Sequence, residues 1–177
     1  KSLGNTIDPL DVIDGITLED LLKKIEAGLP PESEKEERRR RILDGIRKKY
    51  PAGIEAHGTD ALRFTLAVLA AQGRDIKLDI ARISGYRAFC NKIWQAVGGV
   101  VLAHLPRETE PLPPAGEMDL PDRWILSRLA RTVAEANAAL EDFRLNDAAS
   151  AIYQFVWHEW CDWYLELSKN ALYGRCG

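Results

Sequence analysis

Apolar residues recur at steps of three and four along most of the chain, the period of helices that bury one face. Thr17 is a ready N-cap, and Glu19 and Asp20 follow where carboxylates suit the helix dipole. Gly28 and Pro30-Pro31 then stop the element, so a helix is predicted to about Ala27. From Glu32 to Lys49 the pattern is strongly charged, acidic first and basic last, with Glu34–Arg38 and Glu37–Arg41 at i,i+4. It reads as a solvated surface helix or as a contact to an RNA backbone. Gly58-Thr59-Asp60 caps a helix from Ala61 to Ala71 that is apolar nearly all round and is therefore expected to be buried. Arg63, three residues after Asp60, is expected to pair with it.

Three long helices follow. The first runs from about Ile80 to Ala103, with Ile83, Tyr86, Cys90, Ile93, Val97 and Val101 as its buried stripe and Arg82, Arg87, Asn91 and Gln95 off it. The second begins near Leu120-Pro121-Asp122 and buries Ile125, Leu129, Val133, Ala136 and Leu140. After a turn at Phe143-Arg-Leu-Asn146, the third reaches about Leu172. One of its faces carries Ala149, Ile152, Val156, Trp160, Trp163 and Leu167, and another carries Tyr153, Trp157 and Tyr164. A helix apolar on two faces expects two sets of neighbours. The aromatic second face is therefore expected to be uncovered in this chain and open to non-native self-association, as in a fragment of a longer protein, or to be covered by dimerisation of a paralogue.

The fold class that results is mainly α, with a small α or α/β region at 1–79 and an incomplete antiparallel helical bundle at 80–177. Residues 104–119, with four prolines and a glycine, read as an extended linker.

At 177 residues and 46% hydrophobic content, the chain can bury a sizeable core. No apolar run approaches the roughly 20 residues of a bilayer span, and the start lacks a signal-peptide pattern, so no membrane partner and a cytoplasmic location are expected. A net charge of −3 disfavours general polyanion binding, and nucleic-acid contact would have to come from local basic patches. Cys90, Cys161 and Cys176 show no C-x-x-C spacing and read as reduced packing residues. His158-Glu159-x-x-Asp162 places Asp where a zinc helix needs its second His, and His57 and His104 suggest no triad, so no metal site is expected.

Two stretches carry candidate binding chemistry. Lys1-Ser-Leu-Gly-Asn-Thr-Ile-Asp-Pro9 sets a cation beside Gly4, whose backbone freedom lets a loop bring Lys1 and nearby amides around one anion. The same composition also suits a frayed terminus. Gly85-Tyr-Arg-x-Phe-x-Asn-Lys-x-Trp94 gathers Arg87, Asn91, Lys92 and Trp94 within two helical turns. These supply stacking planes and hydrogen-bonding edges of the kind that read splayed RNA bases. Packing between helices is the other reading. Arg74 and Lys77, in the connector from Gly73 to Asp79, suit either phosphate contact or solvent. In Trp157-His-Glu-Trp-Cys-Asp-Trp-Tyr-Leu-Glu-Leu-Ser-Lys169, Trp160 and Trp163 are expected to pack in the core, with Asp162 and Glu166 orienting indole or phenol donors.

Lys1-Ser-Leu-Gly-Asn-x-Ile-Asp-Pro-Leu-Asp-Val-Ile13 resembles the segment of class I aminoacyl-tRNA synthetases that begins inside their Lys-Met-Ser-Lys-Ser signature, with Lys1 and Ser2 as its last two residues. Gly58-Thr-Asp-Ala-Leu-Arg-Phe-Thr-Leu-Ala67 and the Trp157–Lys169 run are similar to the valine branch of that family. Gly85–Trp94 is similar to the opening helix of the family's anticodon-binding bundle, which places the domain boundary near Asp79 and makes 1–79 the catalytic edge and stem-contact region. The resemblance implies a valine tRNA as partner, and ATP with Mg2+ as substrates of the intact enzyme, with Lys1 and Ser2 at the ATP phosphates. A lysine about 4 Å from a developing phosphate charge, at an effective dielectric of about 20, is worth roughly 4 kcal/mol, on the order of a thousandfold in rate. The His-Ile-Gly-His half of such a site, the valine pocket and the editing domain are not in this sequence, so the chain alone is expected to be inactive and to need those domains as partners. A freestanding helical tRNA-binding or scaffold module derived from a synthetase is the alternative.

Overall fold

The computed structural model describes residues 7–29, 36–70, 78–104 and 111–173. Lys1, Ser2, Glu34, Arg74, Lys77 and Cys176 lie outside the described residues. The chain forms two compact units that divide between Leu62 and Arg63.

In the first unit, Asp8 caps α1 (Pro9–Ile13) by accepting the Leu10 N–H at 2.9 Å, and Pro9 occupies the first turn, where a missing donor costs nothing. A helix of 5 residues is too short to show a period, and the pattern did not predict it. α2 (Leu18–Gly28) begins as expected: the Thr17 hydroxyl accepts the Asp20 N–H at 3.2 Å and donates to the Asp20 carboxylate at 2.8 Å. α3 (Glu36–Lys49) carries the anticipated Glu37–Arg41 pair at 3.8 Å, and Arg39 pairs back to Glu26 of α2. Such exposed pairs are worth only tenths of a kcal/mol. Cohesion comes instead from Val12, Leu21, Ile25, Ile46, Tyr50 and Ile54, all buried. Buried Asp11 is answered by Lys24, whose Nζ reaches both Asp8 and Asp11 at 2.7 Å.

Among the described residues no strand forms; β structure is reduced to one antiparallel bridge, Ile16 to Ile54, with both N–H···O contacts at 2.9 Å. Gly15 (φ +80°) and Gly53 (φ +86°) make that approach possible. A Cβ on Gly53 would collide with the Ile16 carbonyl oxygen, and one on Gly15 would lie 2.8 Å from the Ala56 nitrogen.

α4 (Thr59–Leu69) is not buried all round: Ala61, Leu62 and Thr65 are buried, while Arg63 and Leu66 are exposed. Among the described residues no ion pair joins Asp60 to Arg63. In water such a pair gains too little to hold two long side chains still.

The second unit contains the bundle. Asp79 caps α5 (Ile80–Gln95) through the Ala81 N–H at 3.1 Å. The helix continues as a π-helical stretch, Ala96–Val101, and then as α6 (Leu102–His104). Residues 111–119 are non-helical, with a turn closed by the Glu117 N–H on the Pro114 carbonyl at 2.9 Å. α7 (Leu120–Glu141) runs antiparallel to the last helical element, as the pairings of Asp122 with Tyr164 and Arg128 with Glu159 require. That element is α8 (Leu145–Gln154), a π-helical stretch Phe155–Tyr164, and α9 (Leu165–Leu172).

The buried faces differ from the predicted stripes for identifiable reasons. On α7, Ile125, Thr132, Ala136 and Ala139 are buried, while Leu129, Val133 and Leu140 are exposed. Ala136 and Ala139, with Ala148 and Ala149 of α8, let the helices approach through small residues and push the larger side chains to the rim. Thr132 tolerates burial because its hydroxyl donates to the Arg128 carbonyl at 3.0 Å. On α5, Phe89 and Ala96 are buried where the stripe named Cys90 and Val97. On the last element, each wide π turn adds a residue. The core therefore advances from Val156 to Cys161 and Leu165, leaving Trp163 64% exposed and Leu167 in solvent. The aromatic second face is the covered one: Tyr153 and Trp157 pack on Phe89, and Tyr164 bonds to Asp122.

Candidate nucleic-acid interface

α5 carries the candidate side chains, and its inner side determines which way they face. The Phe89 ring lies 5.1 Å from Phe64, 4.7 Å from Tyr153 and 6.1 Å from Trp157. Farther along, Ala96 packs with Cys161 and Leu165 inside a shell of Val100, Val101, Val156 and Trp160. With these residues inward, Arg87, Asn91 and Trp94, at i, i+4 and i+7, share an exposed stripe. Trp94 is 81% exposed. Burying an aromatic side chain of this size stabilises a fold by at least about 1.5–3 kcal/mol, and Trp94 contributes almost none of that to this one. Among the described residues neither Arg87 nor Asn91 has a hydrogen-bond or ion-pair partner. The stripe thus presents a guanidinium plane, an amide edge and an indole face on one exposed side of α5.

Lys92 does not share this stripe. Its Nζ donates to Asp162 Oδ1 at 2.5 Å and lies 4.2 Å from the centre of the Trp157 ring. The residue joins α5 to the π-helical stretch, as the packing reading of its motif expected. The Lys92 ammonium holds Asp162 below the usual carboxylate range, and His158, whose Nδ1 is 3.3 Å from Oδ2, adds to the effect.

Asp162 therefore receives cations and does not orient an indole or phenol. Glu166 is likewise taken by Lys169 at 2.6 Å. The phenol in this region, Tyr164, donates to Asp122 at 2.9 Å, and burial, with that bond assisting, raises its pKa. A forked contact from Arg128 to Glu159, with Nε to Oε2 at 2.9 Å and Nη2 to Oε1, ties α7 to the same stretch. No local spacing marks the Lys92–Asp162, Arg128–Glu159 and Tyr164–Asp122 pairs, whose partners lie 70, 31 and 42 residues apart.

Burial pushes the Cys161 thiol up, which keeps it protonated and unreactive. Among the described residues no cluster of His, Cys, Asp and Glu could hold a metal ion, and no helix is long and apolar enough to cross a membrane.

Two family models match the chain, one on each side of the α5 helix in sequence. Residues 1–79 match the family of tRNA synthetases class I (I, L, M and V), and residues 122–176 match the anticodon-binding domain of tRNA ligase. A valine–tRNA ligase of Xylella fastidiosa strain M12 is 46% identical over 191 residues, covering 99% of this chain and 19% of the relative. The corresponding proteins of strains M23 and 9a5c are also 46% identical, covering 98% and 97% of this chain and 18% of each relative. The chain thus spans about a fifth of the length of the curated relatives it matches. No solved structure matches it. A catalytic-family match and an anticodon-binding match in one chain, the second lying on the helical bundle, place this chain in the class I tRNA synthetase family.

Proposed function

We propose that the chain is the part of a valine–tRNA ligase that joins the end of the ATP-phosphate loop to the tRNA-binding bundle. Residues 1–79 form the catalytic edge and stem-contact region, and 80–177 the first part of the anticodon-binding domain. The end of the class I match at residue 79 supports this boundary. In the intact cytoplasmic enzyme, Lys1 and Ser2 face the phosphates of Mg2+-bound ATP, and Arg74 and Lys77 contact tRNA phosphates. Catalysis needs the remaining catalytic and editing domains, and the isolated chain gives no valine-dependent ATP–pyrophosphate exchange.

The exposed Arg87–Asn91–Trp94 stripe carries the reading for this region. It lies on the opening helix of the bundle, and all three side chains are exposed there. Unstacked anticodon bases are bound by stacking on indole or guanidinium planes and by hydrogen bonds to their edges. Lys92 contributes by holding α5 in place through Asp162 and Trp157.

The test is binding of the chain to a valine tRNA transcript and to the same transcript with a changed anticodon, at two salt concentrations. Weaker binding of the changed transcript is expected. Equal binding to both, falling steeply with salt, would mean phosphate contact only and would refute base reading by this stripe.

A further inference from the structure

A second feature of the bundle lies on the side of α5 that faces α8. Arg82, Gly85 and Tyr86 of α5 and Tyr153 of α8 line an open groove of about 320 Å³. The two phenol rings stand nearly perpendicular, at 85° with centroids 6.0 Å apart. Gly85 has nothing within 4 Å of where a Cβ would be, so the backbone itself forms part of the groove wall. Among the described residues Arg82 has no ion pair, and neither phenol hydroxyl has a hydrogen-bond partner.

The volume is at the small end of ligand clefts, enough for a single small group and too little for a folded segment. One guanidinium is too little charge for a dedicated polyphosphate site. The phenol hydroxyls and guanidinium would be left unpaired under an aliphatic ligand. A nucleobase has apolar faces and polar edges, and it carries one phosphate at the reach of an arginine. Aromatic and guanidinium groups together are the means by which single-stranded nucleotides are held.

We propose that this groove receives one unstacked nucleotide of the bound RNA, its base against Tyr86 and Tyr153 and its phosphate on Arg82. The proposal rests on the tRNA-binding reading above but concerns residues outside the Arg87–Asn91–Trp94 stripe.

Gly85→Leu tests it. The position is open and helical, so the substitution fills the groove while improving helix propensity. With the valine tRNA transcript as probe, Gly85→Leu is expected to weaken binding about tenfold, with the helical content of the chain unchanged. Arg82→Gln is expected to weaken it several-fold at low salt and to reduce the slope of log affinity against log salt by about one. If the unaltered chain binds and both variants bind within twofold of it, the groove proposal is overturned while the tRNA reading stands. If Gly85→Leu disturbs the helix, Arg82→Gln decides alone, since unchanged affinity and slope would overturn the groove. If the unaltered chain binds no tRNA, the tRNA reading falls and the groove proposal falls with it.

Discussion

Lys92 and Asp162, 70 residues apart in sequence, meet at 2.5 Å where the opening helix of the bundle crosses the π-helical stretch. The same ammonium lies 4.2 Å from the centre of the Trp157 ring, so one side chain makes a charged and a cation–π contact at once. Each alone would be modest. Together they fix the rotation of α5, and with it the direction in which Arg87, Asn91 and Trp94 point.

Lys92→Met is accordingly expected to destabilise the second unit by about 1 kcal/mol near neutral pH, summing a partly exposed pair and a cation–π contact. The effect should depend on pH. Asp162 is held below its ordinary 3.8 by the Lys92 bond, so its folded pKa is lower than its unfolded one. Its stabilising contribution is therefore complete above the unfolded value and is lost as pH falls through the folded one. Urea unfolding of chain and variant should show a gap that is full above about pH 5 and narrows as pH falls below the ordinary carboxylate value. A gap that stays constant with pH would count against the Asp162 link.

Trp94→Ala separates binding from folding. At 81% exposure the indole supports little of the structure, so stability should change by less than about 0.5 kcal/mol. Stacking of one base is worth about 1–3 kcal/mol, so affinity for the valine tRNA transcript should fall roughly tenfold to a hundredfold. Filter binding beside a thermal melt reads both quantities. A large loss of stability with unchanged affinity would reverse the assignment.

Gly53→Ala probes the bridge in the first unit. The residue has φ +86°, and its added Cβ would strike the Ile16 carbonyl oxygen. Left-handed strain of about 1 kcal/mol combines with a backbone clash that no side-chain rotation relieves, and a loss of about 2–4 kcal/mol is expected by urea unfolding. Gly85→Ala, with open space at its Cβ and helical backbone, should be neutral or stabilising in the same assay.

What could be read from the sequence was whatever has local causes. Thr17 predicted the α2 start through a cap three residues long, and the bundle helices followed from their period. The motif from Gly85 to Trp94 lies on one helix, and three of its four candidates share one exposed stripe. Long-range pairing could not be read. Lys92 looked like its neighbours until Asp162 was placed beside it, and Arg128 gave no sign of Glu159. α1 was too short for a period to appear, and a strict helical period could not anticipate the π turns.

Trp163 turns that last point into a measurement. A regular 3.6-residue period carries the apolar face from Val156 through Trp160 to Trp163 and Leu167, which would make Trp163 a core residue. The π-helical stretch Phe155–Tyr164 instead brings Cys161 and Leu165 inward and leaves Trp163 beside an apolar groove of about 500 Å³ that it lines with Leu120, Pro121, Trp124 and Leu167. Removing a core tryptophan costs about 3–5 kcal/mol. A surface position costs less than about 0.5 kcal/mol. Trp163→Gln should therefore leave the urea midpoint nearly unchanged, whereas Cys161→Asp, which places a carboxylate among Ala96, Val156 and Leu165, should be severely destabilising. The opposite order would mean that the helix keeps a regular α period through this stretch and that the π-helical register is wrong.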